Sequence, residues 1–263
     1  MSLKKYFSIG KIDMLERYSY FWENTFSIFI LVLIVFVLAK IWTAIFSQGQ
    51  TIDGFTLVQI IWYICMTELI VASTSNEKIE DIGNEIRSGE LSNTLLKPLN
   101  YLGKQFAIMF SGFFYRFITI GIIVFILAYL LAGAIPLTFS GIILTIIIII
   151  FGAILNFCIV LIFAMLALWL EDSSSIYWIY QKTVFIIGGM LIPLDFYPTW
   201  IKSILIYLPT SYVVYFPAKT FVHFSSSLFF TSLIGQIIWI AIFIVILTII
   251  YKIGIKKVSI HGG

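Results

Sequence analysis

Six long apolar blocks, at residues 21–46, 57–73, 106–134, 141–170, 176–194 and 228–251, dominate the chain. None alternates polar and apolar residues as a half-buried strand does, so each reads as a helix. A membrane-crossing helix needs about 20 predominantly apolar residues. The first block contains twelve consecutive apolar residues at 28–39, and the fourth carries no charge in its 30 positions. At 1.5 Å per residue the fourth would reach about 45 Å, longer than a hydrocarbon core of about 30 Å, so tilt or protruding ends are expected. The pattern predicts an all-α polytopic membrane protein with six transmembrane helices, organised as a single transmembrane domain over residues 1–263.

The segments between the blocks set the orientation. If the first block is entered from the cytoplasm, twelve lysines and arginines fall on the inner side, among them Lys4, Lys5, Lys11, Arg17, Lys78, Arg87, Lys97 and Lys104. Lys40, Lys202 and Lys219 alone fall outside. The positive-inside rule therefore predicts that both termini are cytoplasmic. Residues 1–20 mix their cations with Tyr6, Phe7, Ile9, Ile12, Met14 and Leu15, which suits a helix lying in the membrane interface. Such a helix either anchors the topology or acts as a lever on a cytoplasmic subunit.

A charged loop at 74–105 separates the second and third blocks. Ile79, Ile82 and Ile86 recur at i, i+3 and i+7, one apolar stripe on a helix, with Glu77, Glu80, Asp81, Glu85 and Arg87 on its other faces. Ser88-Gly89 breaks that helix. Leu91, Leu95 and Leu96 resume an apolar face until Pro98 stops it. A solvated loop with an incidental helix fits these residues, but an amphipathic helix that docks into a partner's groove accounts better for the stripe. The expected docking residues are Ile79, Ile82, Glu85, Ile86, Arg87, Gly89 and Leu91.

Glu68 and Arg116 are the charges set deep within the blocks. Counted inward from the cytoplasmic ends they lie about 10 Å and about 16 Å deep. A lone charge at the centre of a span costs about 2.5–3.5 kcal/mol on insertion scales. An intramembrane ion pair between Glu68 and Arg116 is therefore expected, either structural or part of a substrate route. On the opposite side, Gly188-Gly189 loosens the fifth block, and Pro193, Pro198, Pro209 and Pro217 interrupt a stretch that stays hydrophobic. Irregular backbone at membrane depth must be shielded by protein or line a wet cavity. Residues 193–227 are expected to form an outer re-entrant hairpin, with Gly188, Gly189, Pro193 and Pro209 as an outer gate; a surface loop with aromatic anchors is the plainer alternative.

Composition narrows the function classes. The chain is 61% hydrophobic and 11% charged, against about 25% charged in soluble domains. A formal charge of +3 is too small to suggest nucleic acid. Cys65 and Cys158 sit in apolar blocks and read as small hydrophobes. Tyr18, Tyr20, Trp22, Trp42, Trp169, Trp178 and Tyr251 read as interfacial belts, and Asn156 and Gln59 as groups that bond between helices. The sequence holds no G-x-x-x-x-G-K-[ST] phosphate loop, no H-E-x-x-H and no Cys/His cluster. The acid pairs Glu80/Asp81 and Glu171/Asp172 lie at cytoplasmic ends, where solvated charge explains them. The chain is therefore expected to bind no metal or cofactor and to catalyse nothing itself.

Taken together, these residues resemble the membrane subunits of type-2 ABC transporters, nearest a branch of uncharacterised exporter permease components. The resemblance rests on Ile41 to Phe46, on Glu85 to Leu91 with Leu95-Leu96-Lys97-Pro98-Leu99, on Gly188-Gly189, Pro193 and Leu208-Pro209, and on Tyr215-Phe216-Pro217 with Gln236 and Trp239. It implies a half-transporter for a lipid-like, amphipathic or drug-like substrate in the plasma or inner membrane. A second permease half, identical or related, and two ATPase subunits carrying ATP and magnesium would complete it. The 74–105 loop would then hold the coupling helix. An ion-gradient-driven secondary transporter is the alternative; it calls for several intramembrane carboxylates and for internal repeats, and Glu68 alone qualifies.

Overall fold

The computed structural model describes residues 3–19, 21–46, 51–74, 76–170 and 173–261. Tyr20, residues 47–50 and the Glu171/Asp172 pair lie outside them, as do the side chains of Tyr18 and Trp22. Twelve α-helices and two 3-10 turns follow one another, with no strand among the described residues. The helices are α1 (Leu3–Ser19), α2 (Phe21–Ile45), α3 (Leu57–Ser73), α4 (Lys78–Arg87), α5 (Glu90–Leu95) and α6 (Tyr101–Ala132). Then come α7 (Phe139–Met165), α8 (Ser174–Ile186), α9 (Thr199–Leu205), α10 (Pro209–Val213), α11 (Tyr215–Val222) and α12 (Ser226–His261). This is an all-α polytopic membrane protein.

Local sequence sets the helix starts. Thr56 and Gln59 form a capping box at α3: the Thr56 hydroxyl accepts from the Gln59 N–H and the Gln59 amide oxygen accepts from the Thr56 N–H. Gln59 thus serves its own helix rather than a neighbour. The side chains of Asn100 and Thr138 accept from the N–H of Gly103 and Gly141 to open α6 and α7. Pro209 occupies the first turn of α10, where its missing N–H has no helical partner to lose.

Among the described residues, five stretches are long and apolar enough to cross a membrane: Phe26–Ile45, Leu57–Arg87, Tyr101–Ala132, Phe139–Leu168 and Ser226–Lys256. The expected fifth span differs. Its helix, α8, has 13 residues, about 20 Å of rise against a core of about 30 Å. The chain leaves the helix at Gly188, where an added Cβ would overlap the carbonyl of Val184, and Gly189 turns it with a φ of +79°.

The core lies along α3 and α7. Tyr63, Cys65, Leu69, Phe157, Cys158 and Leu161 are fully buried. α3 packs against α2, α6 and α11, and α7 against α4, α10, α11 and α12. α2 and α12 leave Phe29, Leu33, Ile237 and Val245 exposed, apolar faces of the kind lipid covers. Trp42 is buried against Phe196, 5.5 Å between ring centres, so it ties α2 to the segment after α8 and is no belt residue. Trp169 and Trp178 are exposed, as belt residues are, and Tyr251 stacks on Tyr101. α1 runs beside the start of α6 in the same direction: Tyr6 meets Gly103, Gly10 meets Ala107 and Ser111, and Arg17 meets Gly112. Glycine at 103 and 112 lets the two helices approach this closely.

Candidate functional site

Helix α4 is the next helix after α3 in the chain, and its apolar stripe points inward. Ile79 and Ile82 are buried and Ile86 is partly buried, all within the chain's own core where α4 packs on α7. Gly83 lies so close to Ser173, at the start of α8, that an added Cβ would overlap that side chain. Leu91 on α5 is buried as well. The stripe thus does not form a docking face, contrary to the expectation from its periodicity. The physical reason is that α6, α7 and α8 all extend to this end and offer the stripe an intramolecular groove.

Hydrogen bonds fix α4 on three sides. Glu85 is a hub: its carboxylate accepts from the Tyr101 hydroxyl at 2.9 Å, the Thr94 hydroxyl at 3.1 Å and the Gln105 amide at 3.3 Å. One carboxylate thereby joins α4, α5 and α6. At the other end of α4, Asn156 donates its side-chain amide to Asn76 Oδ1 at 2.8 Å and accepts from the Tyr180 hydroxyl. All three residues are buried, and a satisfied buried polar network fixes the relative placement of its helices. This relay connects the entry of α4 to α7 and α8. Asn156 therefore does bond between helices.

Next to that relay, Arg116 on α6 donates to Glu77, the residue just before α4. No ion pair joins Glu68 to Arg116 among the described residues, which corrects the expectation. Arg116 extends its long side chain toward the partly exposed Glu77 carboxylate, 41% accessible, and so avoids a fully dehydrated pair. Glu68 stays buried in the middle of α3, beside Cys65.

What remains exposed at this end is the tip formed by α5 and its flanks. Gly89, with a φ of +80°, makes the sharp turn between α4 and α5. Ser88, Glu90, Ser92, Asn93 and Lys97 are exposed, and Leu96 is exposed to 86%. Arg87 is exposed too, and bonds Asn84 at 2.6 Å. A polar cleft of about 720 Å³ opens between the two helices, lined by Asp81, Asn84, Glu90, Asn93 and Lys104. α1 steadies the tip: Lys5 Nζ donates to the Pro98 carbonyl at 3.0 Å, and the Tyr6 hydroxyl accepts from the Asn100 N–H at 3.2 Å.

Of the four expected gate residues, Gly189 meets α3, where it lies against Tyr63. The Tyr63 hydroxyl donates to the Gly189 carbonyl and the Thr67 hydroxyl to the Met190 carbonyl at 3.2 Å. The irregular backbone after α8 is thus satisfied by side chains from the middle of α3. Pro193 precedes the 3-10 turn Leu194–Phe196, and Pro209 opens α10. Asp195, in that turn, accepts from Lys202 at 2.8 Å, from Lys219 at 2.8 and 2.9 Å, and from the Tyr215 hydroxyl at 2.9 Å. Burial pushes its carboxyl up, but these donors and the Lys219 charge outweigh it and hold it below the ordinary value. Sequence reasoning passed over Asn76, Tyr180, Tyr63 and Asp195. A lone acid in a hydrophobic outer segment, flanked by two lysines, was the available sign for Asp195.

The chain matches, over residues 29–262, the family described as ABC-2 family transporter protein. It therefore belongs to that family, as a membrane-embedded permease component that works with ABC ATPase subunits. No curated protein matches the chain.

Proposed function

We propose that this permease is one half of an exporter, driven from the cytoplasmic side by two ATPase subunits that hold ATP and magnesium, and paired with a second permease half. The reading places both termini and the α4–α5 end in the cytoplasm of a plasma or inner membrane, as the distribution of lysine and arginine predicts. The exposed α5 tip on its braced base carries the proposal. Leu96, at 86% exposure, is the apolar anchor that a groove on an ATPase would take, with Arg87, Gly89, Glu90, Asn93 and Lys97 around it.

In this mechanism nucleotide-driven closure of the ATPases displaces α5. Glu85 passes the displacement to the base of α6, and the Asn76–Asn156–Tyr180 relay passes it to α7 and α8. Because α3 runs into α4 and also holds Gly189 and Met190 through Tyr63 and Thr67, the same motion bears on the outer segment. The outer gate of Gly188, Gly189, Pro193 and Pro209 then opens toward the outside for a lipid-like or amphipathic substrate. Affinity purification of the tagged chain from its own membrane in mild detergent tests the assembly. Co-purification of a nucleotide-binding subunit is expected, and its absence under conditions that keep the permease folded contradicts the proposal.

A further inference from the structure

α1 and the first half of α6 enclose a groove of about 650 Å³ along their shared flank. Phe7, Lys11 and Met14 line it from α1, and Ala107, Phe110 and Phe114 from α6. The three α6 positions recur at i, i+3 and i+7, one face of the helix. The rings of Phe110 and Phe114 meet edge to face, 4.8 Å between centres. Phe7 belongs to this apolar wall and is nevertheless 79% exposed. A large exposed ring at the mouth of an apolar groove marks a surface that something covers.

The cations choose the occupant. Lys4, Phe7, Lys11 and Met14 fall at i, i+3, i+7 and i+10, so both lysines share the stripe of α1 that borders the groove. Both are exposed, and neither ammonium group has an ion-pair or hydrogen-bond partner among the described residues. The carboxylates of α1 do not compensate them. Asp13 turns to α6, accepting from Arg17 at 2.8 Å and from the Ser111 hydroxyl at 2.5 Å. Glu16 is set about 140° around the helix from Lys11. Polarity is also graded along the groove. Lys4 lies two residues before Tyr6, which accepts from the Asn100 N–H beside the α5 tip, whereas the Met14 end leads into the membrane-crossing α2.

We propose that this groove holds an anionic phospholipid, with one acyl chain along Phe7, Met14, Phe110 and Phe114 and its phosphate at Lys11 and Lys4. Charge decides against the other occupants. A second copy docked about a two-fold axis would bring the same two lysines against each other. An uncharged chain would leave both without a counter-charge, whereas lysines beside an anionic headgroup gain affinity for it. The lipid then fastens α1 to α6 next to the segment where Lys5 reaches the Pro98 carbonyl. Its place in the cytoplasmic leaflet rests on the exporter reading; the site itself does not.

The test uses the full chain in phosphatidylcholine nanodiscs doped with phosphatidylglycerol that carries a diazirine near one acyl-chain end, alone and with its ATPase partner. Irradiation is expected to label residues within 7–14 and 107–114, and excess plain phosphatidylglycerol is expected to suppress that label. The double variant Lys4→Gln, Lys11→Gln is expected to lower it about tenfold with an unchanged melting temperature. Lys252→Gln, which removes a charge from an exposed position on α12, is expected to leave it unchanged. Equal labelling by the matching phosphatidylcholine probe, or undiminished labelling of the double variant, overturns the site. So does label confined to the outward faces of α2 and α12, or crosslinks from the groove to a second copy in place of lipid. Labelling of a chain that recruits no ATPase leaves the site standing and counts against the exporter reading, whereas a stable ATPase complex without labelling does the reverse.

Discussion

Arg116 of α6 is bonded to Glu77 at the entrance of α4, so the charge set deepest in a long apolar helix is fastened to the segment that leads from α3 to the exposed α5 tip. The pair is partly exposed, and pairs of that kind contribute about 0.2–1 kcal/mol. A double-mutant cycle of Arg116→Met with Glu77→Gln, read by unfolding in mixed micelles, is expected to show coupling of that size. The cycle of Arg116→Met with Glu68→Gln is expected to be additive, and coupling in that second cycle would restore the pairing read from the sequence.

Ile82 and Leu96 separate stability from docking. Ile82 is buried against the chain's own helices, and a charge placed there is unpaired. Ile82→Asp is therefore expected to lower the yield of folded protein and its melting temperature. Leu96→Asp is expected to leave both unchanged while ATPase stimulation falls. Size-exclusion profiles and ATPase assays on the same preparations distinguish the two; a well-folded Ile82→Asp that fails only in coupling would contradict the inward-facing stripe.

Gly83 allows α4 to lie against Ser173. Gly83→Val forces an overlap of the sort that costs about 1–3 kcal/mol in a packed interior. Ser173→Gly in the same chain is expected to recover part of the loss. Thermal unfolding checks both variants, and an unaffected single variant would mean that the contact is loose.

The outer segment is expected to be sensitive to acid through Asp195. Its carboxyl is held below the ordinary value of about 3.9. A carboxyl depressed in the folded state stabilises at pH values above its unfolded value and ceases to do so as pH falls through its folded value. The melting temperature is thus expected to hold from pH 7 to pH 5 and to fall below about pH 4. Asp195→Asn is expected to melt lower at pH 7 already. A melting temperature of Asp195→Asn equal to that of the natural chain at pH 7 would show that Lys202, Lys219 and Tyr215 do not depend on the carboxylate.

Much of the architecture could be read along the chain because long apolar blocks leave few options in a membrane. The blocks at 57–73 and 141–170 correspond to α3 and to α7 with its following 3-10 turn. The α4 stripe was legible too, but periodicity tells which face is apolar and not what buries it, and here the chain buries it itself. The Glu68–Arg116 expectation matched two depths; an arginine side chain is long enough to choose Glu77 instead. The Asn76–Asn156–Tyr180 relay joins residues 80 and 24 positions apart, and nothing local in an apolar helix announces such a bond. The shortness of α8 was hidden because the residues that follow Gly189 remain hydrophobic while no longer helical.

Site-specific crosslinking from the α5 tip tests the coupling claim most directly. A photoreactive residue at Leu96, in the intact complex in its own membrane, is expected to attach to an ATPase subunit, and the same residue at Phe139 at the opposite end is not. Crosslinks from Leu96 only to lipid or to external reagents, or ATPase crosslinks from Phe139, would contradict the account.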